Sequence, residues 1–157
     1  MAFDIGNTLH AIETYVQKLG LFQSVAIGEP KSPPGQGFHA ALWMQSVAIS
    51  MIYAGGETRE NHVIALRVYR DMLAEQTDPQ LNLESEMASV LSKLMESLLG
   101  DTDLESTVMS IDAAGMDGSS MSATFGYTDV GGSMYRVVDI NIPMIVNGSS
   151  TLVGTGV

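Results

Sequence analysis

The sequence predicts an α+β domain, a mainly antiparallel β-sheet with two α-helices packed on one face. Two stretches carry apolar residues at three- and four-residue steps, the period of an amphipathic helix. Several others alternate apolar and polar residues, the period of a half-buried strand. The later strands are separated by Asp117-Gly118 and Gly131-Gly132, dipeptides that suit hairpin turns. At 157 residues, with no internal repeat, the whole of 1–157 is expected to be one domain around one core.

The first helix is predicted over residues 4–19, where Ile5, Leu9, Ile12, Val16 and Leu19 form one stripe. Asp4 is its expected cap or first-turn acid and Gly20 its stop. Leu21 to Ile27, β-branched at Val25 and Ile27, reads as a strand. Residues 28–37 hold three prolines and three glycines in ten positions, which excludes regular structure and predicts a long, stiff loop. Phe38 to Tyr53 reads as one long strand or two bent pieces; it is apolar on both parities and therefore expected to be central. After Gly55-Gly56, His62 to Tyr69 alternates with Ile64, Leu66 and Val68 on one face and Val63, Ala65, Arg67 and Tyr69 on the other.

Asp78-Pro79 marks a turn before the strongest helical pattern of the chain, Leu83, Met87, Val90, Leu91, Leu94, Met95, Leu98 and Leu99, which Gly100 ends. Three strands follow, over Leu104–Asp112, around 121–128 and from Met134 to Val146. Pro143 lacks a backbone donor, so its strand is expected at an edge there or paired on one side only. The eleven residues from Asn147 are small and polar and read as a C-terminal tail, mobile alone and ordered by a partner.

Composition narrows the function. The absence of cysteine excludes disulfides and thiolate metal sites. No signal peptide and no membrane-spanning run is evident, so a soluble protein is expected. Eighteen acidic residues against seven basic ones give a net charge of −11. With the basic residues scattered, specific nucleic-acid binding is not expected, although an acidic surface lets DNA pass without sticking. Eleven methionines suit a core or an adaptable contact surface, and core filling is the expected role for most.

A search for chemistry ends without a site. His10, His39 and His62 show no metal-ligand spacing. Asp101-Thr102-Asp103-Leu104-Glu105 lacks the central glycine of a calcium loop and has Asp112 where that loop carries its bidentate Glu. Gly115 to Ser120 has no following lysine or helix to cradle a phosphate. There is no Gly-x-Ser-x-Gly elbow. No catalytic, cofactor-binding or metal residue is therefore expected, and the protein reads as a non-enzyme.

What remains to be explained is the stiff loop, the open antiparallel edges and the tail, features of a subunit made to be added to something. Glu29-Pro30-Lys31-Ser32-Pro33-Pro34-Gly35, Ala41-Leu42-Trp43 and Val63-Ile64-Ala65-Leu66-Arg67-Val68-Tyr69 occur in that order. A Leu/Met-rich helix follows, then Ile111-Asp112 with Gly115, Ser122-Ala123 and Gly126-Tyr127, then Met134-Tyr135-Arg136-Val137 and Ile142-Pro143-Met144-Ile145-Val146. From about residue 4 to 147 this series resembles the tail terminator (tail completion) proteins of long-tailed bacteriophages, particularly those of actinobacterial phages.

The resemblance implies an α+β subunit of a hexameric ring on the head-proximal end of the tail tube, without catalytic activity. Such a ring stops tube polymerisation and docks onto the head–tail connector or stopper protein, with DNA passing through its lumen. Location in the virion tail, after assembly in the host cytoplasm, is implied likewise. Another ring-forming virion protein (a head–tail joining protein or the tail tube subunit) stays open, as does, with less support, a small host enzyme or ligand-binding domain. The residues expected at ring and tube contacts are Glu29, Pro30, Lys31, Pro33 and Pro34 of the loop, together with Arg59, Arg67, Arg70 and Arg136. Cations are scarce here, and acidic subunits need them to pair across their interfaces.

Overall fold

A computed structural model of the chain describes residues 5–72, 79–100, 109–116, 118 and 120–149. It contains α1 (Ile5–Lys18), β1 (Ser24–Ile27), β2 (Phe38–Ile52), β3 (Glu57–Asp71), α2 (Pro79–Gly100), β4 (Met109–Ile111), β5 (Ser122–Val130) and β6 (Ser133–Ser149). The strands form one sheet in the order β1-β2-β3-β6, and β6 carries both β5 and β4 on its outer side. Every pairing is antiparallel except β1 with β2. The fold is thus the α+β arrangement that the sequence predicts.

Period-two alternation sorts the long strands into two faces. On one, Leu42, Ile64, Leu66, Val138, Ile140, Ile142 and Met144 are fully or almost fully buried. Ile12 and Val16 of α1 and Leu83, Met87, Leu94 and Leu98 of α2 close over this face as a single core. Each such side chain contributes about 1.5–3 kcal/mol by leaving water. The Tyr15 hydroxyl donates to the Ser97 carbonyl at 2.8 Å and ties the two helices together. The opposite face carries a smaller cluster of Ala41, Tyr69, Val130, Tyr135 and Val137, with Tyr69 and Tyr135 edge to face at 6.1 Å.

Several boundaries differ from the sequence expectation. β3 begins at Glu57, because its polar start, Thr58, Glu60 and His62, finds partners inside the protein. β6 continues through Asn147, Gly148 and Ser149, which pair with Arg59, Thr58 and Glu57, so the expected tail begins as strand. At Pro143 the register agrees with the expectation of pairing on one side only: it pairs with Val63 of β3 and falls between the end of β5 pairing at Asn141 and the start of β4 pairing at Met144, where a missing donor is tolerated. β4 is described only over Met109–Ile111; Leu104 to Val108, Asp4 and the tail residues from Ser150 lie outside the described residues.

The largest difference concerns β2. It is central only at His39–Leu42, where β1 covers it, because Gly28 (φ 91°) turns the chain away after Ile27. From Gln45 onward β2 is an exposed edge. Ile49, Met51 and Ile52 are 50 %, 51 % and 70 % exposed, although their apolar pattern reads as core. Methionines divide in the same way: Met87 and Met144 are buried, while Met51, Met72, Met116 and Met134 are 44 % exposed or more.

Candidate assembly surface

Among the described residues, no neighbouring strand covers two long segments on opposite sides of the sheet. One is the outer half of β2, Gln45 to Ile52, and the other is β5, Ser122 to Val130. Stable monomers blunt such edges with charge, proline, β-bulges or a covering segment. Here the β2 stretch carries no charge and no proline, and β5 carries one charge, Asp129. The β2 edge is irregular, with breaks in register at Met44/Ser46 and Ile49/Met51. Such bulges re-aim side chains and increase local twist. Beside β5, Phe125, Tyr127 and Met134 are 41 %, 57 % and 50 % exposed. The Arg136 guanidinium lies over both rings, 4.6 Å from the centre of Tyr127 and 5.5 Å from that of Phe125.

The proline-rich loop is held at one end of the sheet. The Gly35 N–H donates to the Tyr135 hydroxyl at 3.2 Å, and that hydroxyl donates back to the Gly35 carbonyl at 3.4 Å. The Gly37 N–H donates to Asp71 Oδ1 at 2.8 Å. His39 is buried beneath the loop: Nε2–H donates to the Gln36 carbonyl at 2.8 Å, so Nδ1 accepts the Ser24 hydroxyl at 2.6 Å. Both ring nitrogens are thereby used in structure. Glu29, Lys31, Ser32 and Pro33 remain exposed on the outside of the loop. Pro33 lies against the β5–β6 turn, where a Cβ on Gly131 (φ 58°) would come within 2.8 Å of its ring. Gly131→Ala is expected to lower stability by about 1–2 kcal/mol through left-handed backbone strain and to shift the loop. Denaturant unfolding and nuclear magnetic resonance shifts at Pro33–Gly35 check both effects.

The four expected arginines do not gather into one patch. Arg67 stands on the helix-free face and makes a two-pronged bond to Asp139, Nε–Oδ1 2.5 Å and Nη2–Oδ2 3.1 Å. It also lies 5.7 Å from the centre of the Trp43 ring. The hydrogen bond and charge of Asp139 hold the Arg67 guanidinium above its ordinary pKa. Arg70 pairs with Asp71 and with Glu86 of α2, and Arg136 pairs with Glu84 of α2. These two arginines therefore fasten α2 to the sheet within one subunit. Arg59 lies in the β2–β3 hairpin opposite Met51. The β2 edge lies outside the expected contact residues, and an uncharged run from Leu42 to Ala54 is its signal in the sequence.

Two further clusters matter chemically. Thr8, Thr58, Glu60 and His62 form a chain of polar groups on the helix-bearing face, each 4 % exposed or less. The Thr58 hydroxyl donates to Glu60 Oε2 at 2.8 Å, His62 Nε2–H donates to Glu60 Oε1 at 2.7 Å, and His62 Nδ1 meets the Thr8 hydroxyl at 3.0 Å. Hydroxyl, imidazole and carboxylate in this order recur in nucleophilic catalysis. Here all are sealed from solvent, and the chain pins α1 to β3. Among the described residues no three His, Asp or Glu side chains gather into a metal-binding group.

The second cluster lines a shallow groove of about 410 Å³ on the helix-free face, between Trp43 of β2 and Ser122 and Thr124 of β5. Ala65 makes the depression: it puts a methyl group between Trp43, its register partner on β2, and Asn141, its partner on β6. No protein-family model matches the chain, and no curated protein matches it.

Proposed function

We propose that the chain is a structural virion protein that forms a ring, hexameric by its resemblance to tail terminators, at the head-proximal end of a phage tail tube. In this role it ends tube polymerisation and joins the tail to the head connector, while DNA passes through the lumen. The observation that carries the reading is the pair of charge-poor edge segments, β2 from Gln45 and β5, that no described strand covers on opposite sides of one sheet. Two different edges on one subunit favour head-to-tail contact, which closes a ring when the rotation between copies allows it. Each contact would extend the sheet by strand addition and would cover Ile49, Met51 and Ile52. The net charge of −11 suits a lumen along which DNA slides.

Electron microscopy of the purified protein, alone and mixed with tail tubes, tests the proposal. Rings with a central opening, or caps at one end of each tube, are expected. Open-ended growth of tubes from this chain alone would assign it as the tube subunit instead. A protein that stays monomeric at high concentration and leaves tube ends bare would overturn the reading.

A further inference from the structure

The proline-rich loop and the Trp43 groove lie on the same subunit, and their chemistries are complementary. The loop is pre-organised: its prolines fix φ, and Tyr135 and Asp71 hold its C-terminal end. It presents an acid and a base two residues apart, Glu29 and Lys31, followed by the exposed ring of Pro33. The groove presents a base and an acid side by side, Arg67 and Asp139, next to the Trp43 ring. Asp139 is 48 % exposed and accessible to a second cation. Grooves lined by aromatic side chains dock stiff proline-rich segments, and Trp43 supplies one such side chain here.

We propose that the groove is the seat for the proline-rich loop of a second copy of this chain. The incoming Pro33 stacks on Trp43, Lys31 approaches Asp139 and Glu29 approaches Arg67. A subunit cannot fill its own groove in this way. Its loop starts near the groove, where the Gly28 N–H donates to the Leu42 carbonyl. The segment from Pro33 to Gly35, however, is held at the level of Tyr135, which pairs with Asp71, whereas the groove lies at Ala65, six residues back along β3. That separation is roughly 20 Å at the rise of a strand. One side of the Pro33 ring faces its own Gly131 turn, and the exposed remainder of the ring is what a second copy meets. Loop and groove are different surfaces, so the contact is head-to-tail, as a closed ring requires. The inference rests on the ring reading for its partner and adds a contact separate from the sheet edges.

Trp43 is the single tryptophan, so its emission reports on the groove alone. The reporter is the full chain with Ile49→Lys and Ile52→Lys, which disable the β2 edge. The donor is the same chain made fluorescence-silent by Trp43→Phe, its loop intact. Titrating donor into reporter is expected to shift Trp43 emission to the blue in a saturable way. A second donor with Lys31→Glu and Pro33→Ala, both at exposed positions, should bind about tenfold more weakly or worse. Equal shifts from the two donors, or no shift up to millimolar donor, would overturn the loop contact. Rings formed by the wild-type chain would leave the ring reading standing in that case. A loop-dependent shift without rings or tube caps would keep the contact and overturn the ring.

Discussion

The variant Ile49→Lys with Ile52→Lys is expected to stay folded and monomeric under conditions where the wild-type chain forms rings or caps tubes. Both residues lie on the outer half of β2, at 50 % and 70 % exposure, so two lysines there reach water and keep their charge solvated. Surface changes of this kind alter monomer stability by about 0.5 kcal/mol each. Their effect on an incoming strand is larger, because a charge on an edge must be desolvated before another chain can pair there. Sedimentation velocity gives the oligomeric state and circular dichroism the fold. Rings of normal size from this variant would remove the β2 edge from the assembly surface. It is a cleaner probe than Arg67→Glu, which would set a carboxylate against Asp139 in the same subunit and unsettle the sheet before any interface is reached.

The second large effect concerns the buried polar chain. Glu60→Ala is expected to destabilise the fold by about 3–5 kcal/mol, because it strands His62 and Thr58 without their acceptor in a site closed to water. For a chain of this size each kcal/mol shifts the midpoint by about 2–4 °C, so melting should fall by roughly 10 °C. Glu60→Gln keeps one acceptor oxygen and should recover part of the loss. Thermal unfolding followed by circular dichroism measures both variants. A loss in Glu60→Ala below about 1 kcal/mol would show that hydrophobic packing alone docks α1.

Much of the architecture is legible in local pattern. The stripe of Ile12 and Val16 and the stripe of Met87, Leu94 and Leu98 both point inward, as their helical period requires. The two faces of β3 separate by parity, with Ile64, Leu66 and Val68 in the main core and Tyr69 in the smaller one. The stiffness of residues 28–37 follows from proline chemistry. So does the exclusion of disulfide and thiolate chemistry, which needs only the absence of cysteine.

Other properties are set by which strands become neighbours. An apolar run such as Val47 to Ile52 has the same local pattern in a covered strand and at an open edge; β1 ends after four residues and leaves this one open. Pro143 signals a gap in pairing but not that β4 and β5 lie on either side of it. The partners of Arg67, Arg70 and Arg136 lie between 1 and 72 residues away, and only folding selects Asp139, Asp71, Glu86 and Glu84 from among 18 acids. His62 reads as a strand start until α1 closes over it and brings Thr8 to the imidazole. Sequence period therefore determined the two helices, the cores of the long strands and the two-faced sheet of this protein. Its open edges, its buried polar chain and the groove beside Trp43 were decided by tertiary contacts, because exposure and pairing depend on residues far apart in the chain.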